Sequence, residues 1–301
     1  MLVNELYLEM FVDLFRGRGD CYGSWEGGCI REPLTHEIFA KHLYDGPHIG
    51  VYPALPLADG RTACVWGCSD IDYDSPDHAW LLHDAFEAAG VISWVEKTRR
   101  GFHIWVFTDE LVEAKYMRRM FLAAHKVAEI NPKEVNPKQE ELGRGQIGNY
   151  VRLPYPNLNG EQTRRIVDRS LAPIDFARFV PEAHAKRNSK AVVEKLSEYY
   201  VPPTVSYSVA EPSHDMAEAS RRLTPLGRTI FRDGPIVGRD RSTTLTHLAH
   251  ECRKAGLNPG DAMMLLEDAD TRWGKYLIRG EAGKLELEKL LVRAYGSTQS
   301  T

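Results

Sequence analysis

The run Ala63-Cys-Val-Trp-Gly-Cys-Ser-Asp-Ile-Asp-Tyr73 constrains this chain more than any other segment. Rich in β-branched and aromatic residues, it reads as a strand, and it closes on two acids, Asp70 and Asp72. Side chains alternate across a strand, so both carboxylates belong to one face. Two acids on a buried-type strand are costly unless something positive meets them. A divalent cation answers that need, because hard cations take carboxylate oxygens. The pattern predicts a phosphoryl-transfer centre in the first third of the chain.

The neighbouring segments supply a frame for that strand. Ser75-Pro76 opens a helix with Pro at its first position, an apolar face of Ala79, Leu82, Phe86 and Ala89, and Gly90 to close it. Strands over 91–96 and 102–107 flank the short link Lys97-Thr-Arg-Arg-Gly101, a hairpin signal. Strand, helix, strand, strand is half of a ferredoxin-like or RNA-recognition-motif core. In the last strand Phe102, Ile104 and Val106 are expected to face the core. Gly101, His103, Trp105 and Phe107 then share the opposite face. A helix over 109–128 follows, then loop and strand over 133–156. Upstream, helices over 5–15 and 35–44 flank a Gly-rich loop, and Ile49–Leu55 is strand-like.

Residues 184–235 show weak periodicity, a Pro-Pro pair and a Ser/Pro-rich patch, and read as a linker. Helices are expected over 242–255, 259–273 and 284–295, separated first by Gly256 and Asn258-Pro259-Gly260. The expectation is an α+β fold: a catalytic domain over 1–183, a linker over 184–235 and a small all-helical domain over 236–301.

Composition excludes some classes. With 43% hydrophobic and 27% charged residues the chain is neither disordered nor strongly biased. A net charge of −4 does not argue against nucleic acid, since a local basic surface is what matters. No stretch approaches the roughly 18 apolar residues of a membrane helix, so no membrane partner is expected. The N-terminal segment carries Glu5, Glu9 and Asp13 and is not expected to be a signal peptide, which makes the cytoplasm, or a host's, the default. Five scattered cysteines do not suggest a disulfide framework. Zinc is not expected. Cys21 and Cys29 with His36 or His42 fit no common finger, and Cys252 shares a helix face with Leu245, Leu248 and Ala249, beside peripheral His247 and His250.

Around the acidic strand, His103 is a candidate ligand contact, and Gly101 lets a ligand approach the backbone. Lys97, Arg99 and Arg100 at the hairpin tip would alone be a solvated turn. Beside a metal-carboxylate strand they suit a triphosphate, which arginine pairs bidentately. The stretch that follows adds Glu134, Lys138, Gln139, Asn149 and Arg152. Glu134 could complete an acidic set for two metals, and Lys138 could neutralise phosphate; as plain sequence each also suits a solvated loop.

Together these residues resemble the archaeo-eukaryotic primase superfamily, in particular the primase-polymerases of phages and mobile elements. The first motif is Asp70-Ile-Asp72; the second is Gly101-Phe-His103 after Lys97 and Arg99, with Gly101 where the family usually has Ser. The third resembles Glu134-Val-Asn-Pro-Lys-Gln139 followed by Gly148-Asn149-Tyr-Val-Arg-Leu-Pro154, with Glu140 as the nearest substitute acid. His42-Leu43 and Gly50-Val-Tyr-Pro53 also match. The C-terminal unit resembles the small helical primase C-terminal domain through Gly238-Arg-Asp-Arg241, Lys254-Ala-Gly-Leu257 and Arg293-Ala-Tyr295.

The resemblance implies an RNA-recognition-motif-like core and a DNA primase or primase-polymerase, a template-dependent nucleotidyltransferase acting on single-stranded DNA with NTP or dNTP. It implies two Mg²⁺ or Mn²⁺ ions on Asp70, Asp72 and Glu134. His103, Arg99, Lys97, Lys138, Gln139, Asn149 and Arg152 would then serve the nucleotide. No Walker motif is present, so a replicative helicase would be a separate chain. The rivals are a metal-dependent nuclease or nicking enzyme, although no His-x-His appears, and a non-catalytic nucleic-acid-binding module, which would not need two adjacent acids.

Overall fold

The computed structural model describes residues 4–44, 46–71, 76–143, 145–160, 163–201, 211–235 and 240–295. The chain divides into two units, Met1–Pro202 and Pro203–Thr301. The first runs α1 (Glu5–Leu14), β1 (Tyr22–Ser24), β2 (Cys29–Ile30), α2 (His36–Leu43), β3 (Ile49–Val51), β4 (Leu55–Pro56), β5 (Thr62–Ile71) and α3 (Asp77–Ala88). It continues with β6 (Trp94–Lys97), β7 (Phe102–Glu113), α4 (Ala114–Val127), β8 (Glu134–Asn136), β9 (Val151–Arg152), β10 (Arg165–Ile166), α5 (Phe176–Ala185) and α6 (Lys190–Ser197). The second holds α7 (Met216–Arg222), α8 (Pro225–Asp233), α9 (Arg241–Lys254), α10 (Pro259–Trp273), a 3-10 turn Leu277–Arg279 and α11 (Glu281–Tyr295). The architecture is α+β followed by helices.

The main sheet has the order β10-β6-β7-β5-β4, and β8 pairs with the end of β5 beyond β4. All its pairings are antiparallel. A second sheet has the order β2-β1-β3-β9. Both faces of β7 are buried. Phe102, Ile104 and Val106 pack with Leu82 and Phe86 of α3 and Met117 and Phe121 of α4. Trp105 and Phe107 pack with Trp66 of β5, Phe11 and Leu14 of α1, and Phe179 of α5. A near-continuous apolar run is what a strand covered on both sides needs. The face opposite the expected core is therefore also a core, and the candidate site occupies its end.

Two expectations are corrected. β7 continues to Glu113, so the helix expected from 109 begins at Ala114. Past a bulge between Cys64 and Trp66, Ala63 and Cys64 pair with Glu113 and Val112, and Thr108 donates to the Val65 carbonyl at 3.0 Å. Pairing with β5 overrides local helix preference there. Among the described residues, the segment expected as a linker over 184–235 is largely folded. Residues up to α6 belong to the first unit, and α7 and α8 pack with the second. Buried Asn188 explains the first part. Its side chain bonds both backbone groups of Ile92 at 2.7 and 2.8 Å and the Phe107 carbonyl at 3.0 Å. Arg187 and His184 also reach Asp13 of α1, at 2.6 and 3.1 Å. These are polar side chains doing a core's work, which hydrophobic periodicity does not register.

In the second unit Leu245, Leu248, Ala249 and Cys252 of α9 meet Leu265, Leu266 and Ala269 of α10 and Leu287, Leu290 and Leu291 of α11. Among the described residues no helix is long and apolar enough to cross a membrane.

These contacts set where the chain can be cut. A chain ending at Pro202 is expected to unfold cooperatively in urea. One ending at Glu182 loses Asn188 and the fully buried Val193, and is expected to lose at least ~3 kcal/mol of stability or to be insoluble. Equal urea midpoints for the two chains would refute this placement of the boundary.

Candidate active site

The site grows from the register of β5. Trp66, Cys68 and Asp70 share one face and stand opposite Phe107, Trp105 and His103 of β7. The Trp66–Phe107 and Cys68–Trp105 pairs fill the core; the last pair, Asp70 and His103, falls where that core ends. On its other edge Asp70 is opposite Glu134, and Cys68 opposite Asn136, of β8. One strand end thus presents Asp70 flanked by His103 and Glu134. Asp72 lies outside the described residues.

These groups open on a cleft of about 740 Å³. Its wall contains Asp70, His103, Glu134 and Asn136 on one side, and Arg99, Arg100, Asn149, Arg152 and Arg164 among the rest. Of the residues singled out in the sequence, it brings together Asp70, Glu134, His103, Arg99, Asn149 and Arg152. Three others do not line it. Lys97 lies over the Phe102 ring at 4.3 Å, Lys138 stands 3.6 Å from the Glu134 carboxylate, and Gln139 donates to Asn149 Oδ1 at 3.1 Å. Glu140 is turned to Arg119 of α4 at 2.8 Å, which leaves Glu134 as the acid beside Asp70. Gly101 closes the hairpin, with its N–H donating to Thr98 Oγ1 at 3.1 Å.

The network beneath His103 left little trace in the sequence. Glu96, fully buried on β6, stands opposite His103 in the register. Arg164 donates to it from Nε at 2.8 Å and from Nη2 at 3.2 Å, and the Trp105 indole N–H donates at 2.7 Å. Arg164 Nη2 also lies 2.8 Å from His103 Nδ1. Burial alone would raise the Glu96 carboxyl; the Arg164 guanidinium is the foremost charge opposing it, and the group lies well below its ordinary range, at about 2. A Glu in an otherwise apolar strand was the one available signal.

Other walls come from the second sheet. A Cβ on Gly23 or Gly50, which are paired across β1 and β3, would lie 2.2 or 2.3 Å from the Tyr150 ring. Only glycine leaves room for that ring. Arg152 donates to the Trp25 carbonyl at 2.6 Å, and both Arg152 and Arg164 lie over the Trp25 ring, at 5.3 and 5.9 Å. His42 is structural. Its Nδ1 accepts from the Ile49 N–H at 3.2 Å, and its Nε2–H donates to the Pro154 carbonyl at 3.0 Å. Burial lowers it to about 4, and neither ring nitrogen is left for a metal.

The family model described as TOTE conflict system, Archaeo-Eukaryotic Primase domain matches residues 30–194, from β2 into α6. Among solved structures the chain is similar to the archaeo-eukaryotic primase domain of the cyanophage S-2L primase-polymerase. Identity is 14% and the TM-score 0.33, over 61% of this chain and 99% of that one. It is also similar to the primase RepB′, at 9% identity and a TM-score of 0.32, over 97% and 94%. No curated protein matches the chain.

The buried pair makes a prediction about acid stability. A carboxyl held below its ordinary 4.5 contributes stability that is fully present above that value and lost as pH falls toward about 2. Glu96→Gln leaves Arg164 buried without its counter-charge and is expected to cost about 3 kcal/mol at neutral pH. The variant should also lose the part of the pH dependence that lies between those two values. Urea titrations of both proteins from pH 7 to pH 3 check this.

Proposed function

The chain belongs to the archaeo-eukaryotic primase family, and we propose that it is a template-dependent nucleotidyltransferase, a DNA primase-polymerase that builds primers on single-stranded DNA from NTP or dNTP. What supports this reading is one cleft in which Asp70 and Glu134 stand on adjacent strands while Arg99, Arg100, Arg152 and Arg164 line the same space. Carboxylates gather cations, guanidinium groups gather phosphate, and a nucleotide awaiting transfer needs both.

The donor set fits a hard divalent cation. Asp70 and Glu134 are directly opposed across two strands, where like charges repel. Both side chains are about one-third exposed to the cleft, at 32% and 34%. Carboxylate oxygens in that position suit Mg²⁺ or Mn²⁺. In this reading Asp70 and Glu134, with Asp72, hold two ions, which when bound neutralise charge on the attacking 3′-oxygen and the leaving pyrophosphate. Arg99 and Arg152 pair with phosphate oxygens through their planar forks, and His103 offers a ring nitrogen to the same group. Fixing the triphosphate beside the acids converts an encounter into a positioned reaction. The helical unit would serve initiation, where two nucleotides must be held without a primer, and a separate helicase would open the template.

Asp70→Asn and Glu134→Gln are expected to lower labelled-nucleotide incorporation on single-stranded DNA at least about a hundredfold with either Mg²⁺ or Mn²⁺. Both should keep the fold, because removing one of two facing charges relieves repulsion. Normal incorporation by Asp70→Asn would refute the metal-centre reading.

The chain ending at Pro202 is expected to extend a supplied primer but to fail on an unprimed template. If it initiates as well as the full chain, the helical unit has no part in initiation.

A further inference from the structure

We propose that the buried Glu96–Arg164 pair is a positioning device that fixes His103 in its Nε2–H tautomer, so that the ring presents an N–H donor to a phosphate oxygen of the bound nucleotide. The donor to phosphate rests on the nucleotide reading of the cleft; the tautomer does not.

The argument is a count of protons. Arg164 Nη2 carries two. One serves Glu96 Oε2 at 3.2 Å and the other points at His103 Nδ1, 2.8 Å away. A guanidinium only donates, so Nδ1 must offer its lone pair. Glu96 Oε2 is also near Nδ1, at 3.1 Å, but it already accepts from the Trp105 indole and from Arg164. A proton on Nδ1 would face the guanidinium proton and leave it unpaired inside the protein, a costly arrangement. In the neutral ring the proton therefore belongs to Nε2.

Geometry then gives that proton a destination. Nε2 faces Asp70, but at 3.7 Å the carboxylate is beyond hydrogen-bonding length. An oxygen entering the cleft between Asp70 and the arginines can take the donation instead. The arrangement also accounts for a buried ion pair in a sheet where apolar side chains would pack at least as well. Arg164 is held for this task from behind, since its carbonyl accepts from the Tyr155 N–H at 2.9 Å.

Nitrogen NMR of the full chain with ¹⁵N-labelled histidine reads the tautomer directly, with His103 assigned by its loss in His103→Gln. The expected result is a protonated Nε2 and an unprotonated Nδ1, and a shift toward the other tautomer in Arg164→Lys, which keeps the charge and loses the fork. A protonated Nδ1 in the unaltered protein, or a spectrum unmoved in Arg164→Lys, overturns the proposal. The substrate half is read by nucleotide KM. Arg164→Lys should raise it about tenfold with a smaller change in kcat. Gln at 103 places its amide N–H where Nε2–H stood and should retain more nucleotide affinity than Asn, which mimics Nδ1. Equal affinity of the Gln and Asn variants overturns the phosphate contact. A chain that incorporates no nucleotide at all refutes the functional reading instead, and the NMR result stands apart from it.

Discussion

Everything in the first unit depends on the register between β5 and β7. It sets Asp70 opposite His103, Cys68 opposite Trp105 and Trp66 opposite Phe107. Side chains alternate, so a slip of one residue would exchange the two faces of β5. Asp70 would then point among Met117, Phe121 and Leu82, and the aromatic layer over α1 and α5 would lose Trp66. Gly67 guards the arrangement from the opposite face. A Cβ there would lie 2.5 Å from the Phe121 ring, so α4 rests on bare strand backbone and no other residue fits. The geometry of the cleft is thus secured mainly by apolar packing at positions outside its lining, Trp66, Gly67, Trp105 and Phe107 among them.

The site itself is assembled by edges. β6 brings Glu96 beneath His103, β8 brings Glu134 beside Asp70, and the segment leading into β10 brings Arg164 across. The β1–β3 sheet contributes a wall in which paired glycines admit Tyr150 and two arginines gather on Trp25. Negative charge collects on the main-sheet side and most of the positive charge on loops around it. Burying a Glu and an Arg together contributes little to folding by itself. Its effect is orientation: a fully desolvated pair has few alternative geometries, and the imidazole it touches inherits that rigidity.

Much of this was legible before any coordinates. Asp70 and His103 lie on segments whose β-branched and aromatic content marks strands, and helices form over His36–Leu43 and Pro259–Trp273, close to where turn and start residues place them. The failures share a cause. Residues 184–201 read as a linker because they lack apolar periodicity, yet Asn188, His184 and Arg187 fasten them with hydrogen bonds. Lys97 and Lys138 are basic and near the motif, but one lies over an aromatic ring and the other beside Glu134, and neither is in the cleft lining. Glu96 and Arg164 passed unnoticed, since the sequence separates them by 68 positions.

The sequence by itself determined the local order: which runs become the central strands, that Asp70 comes at the end of one of them, and that a basic hairpin precedes Gly101-Phe-His103. These follow from alternation and turn chemistry, which act over a few residues. Tertiary structure decided the partners. It chose Glu134 over Glu140 as the acid beside Asp70, kept Lys97 out of the cleft, and set Arg164 against both Glu96 and His103. Charged side chains are long and find whichever opposite charge the packed backbone brings near. Their pairing is fixed only after the apolar register has fixed the backbone, and no local pattern records it.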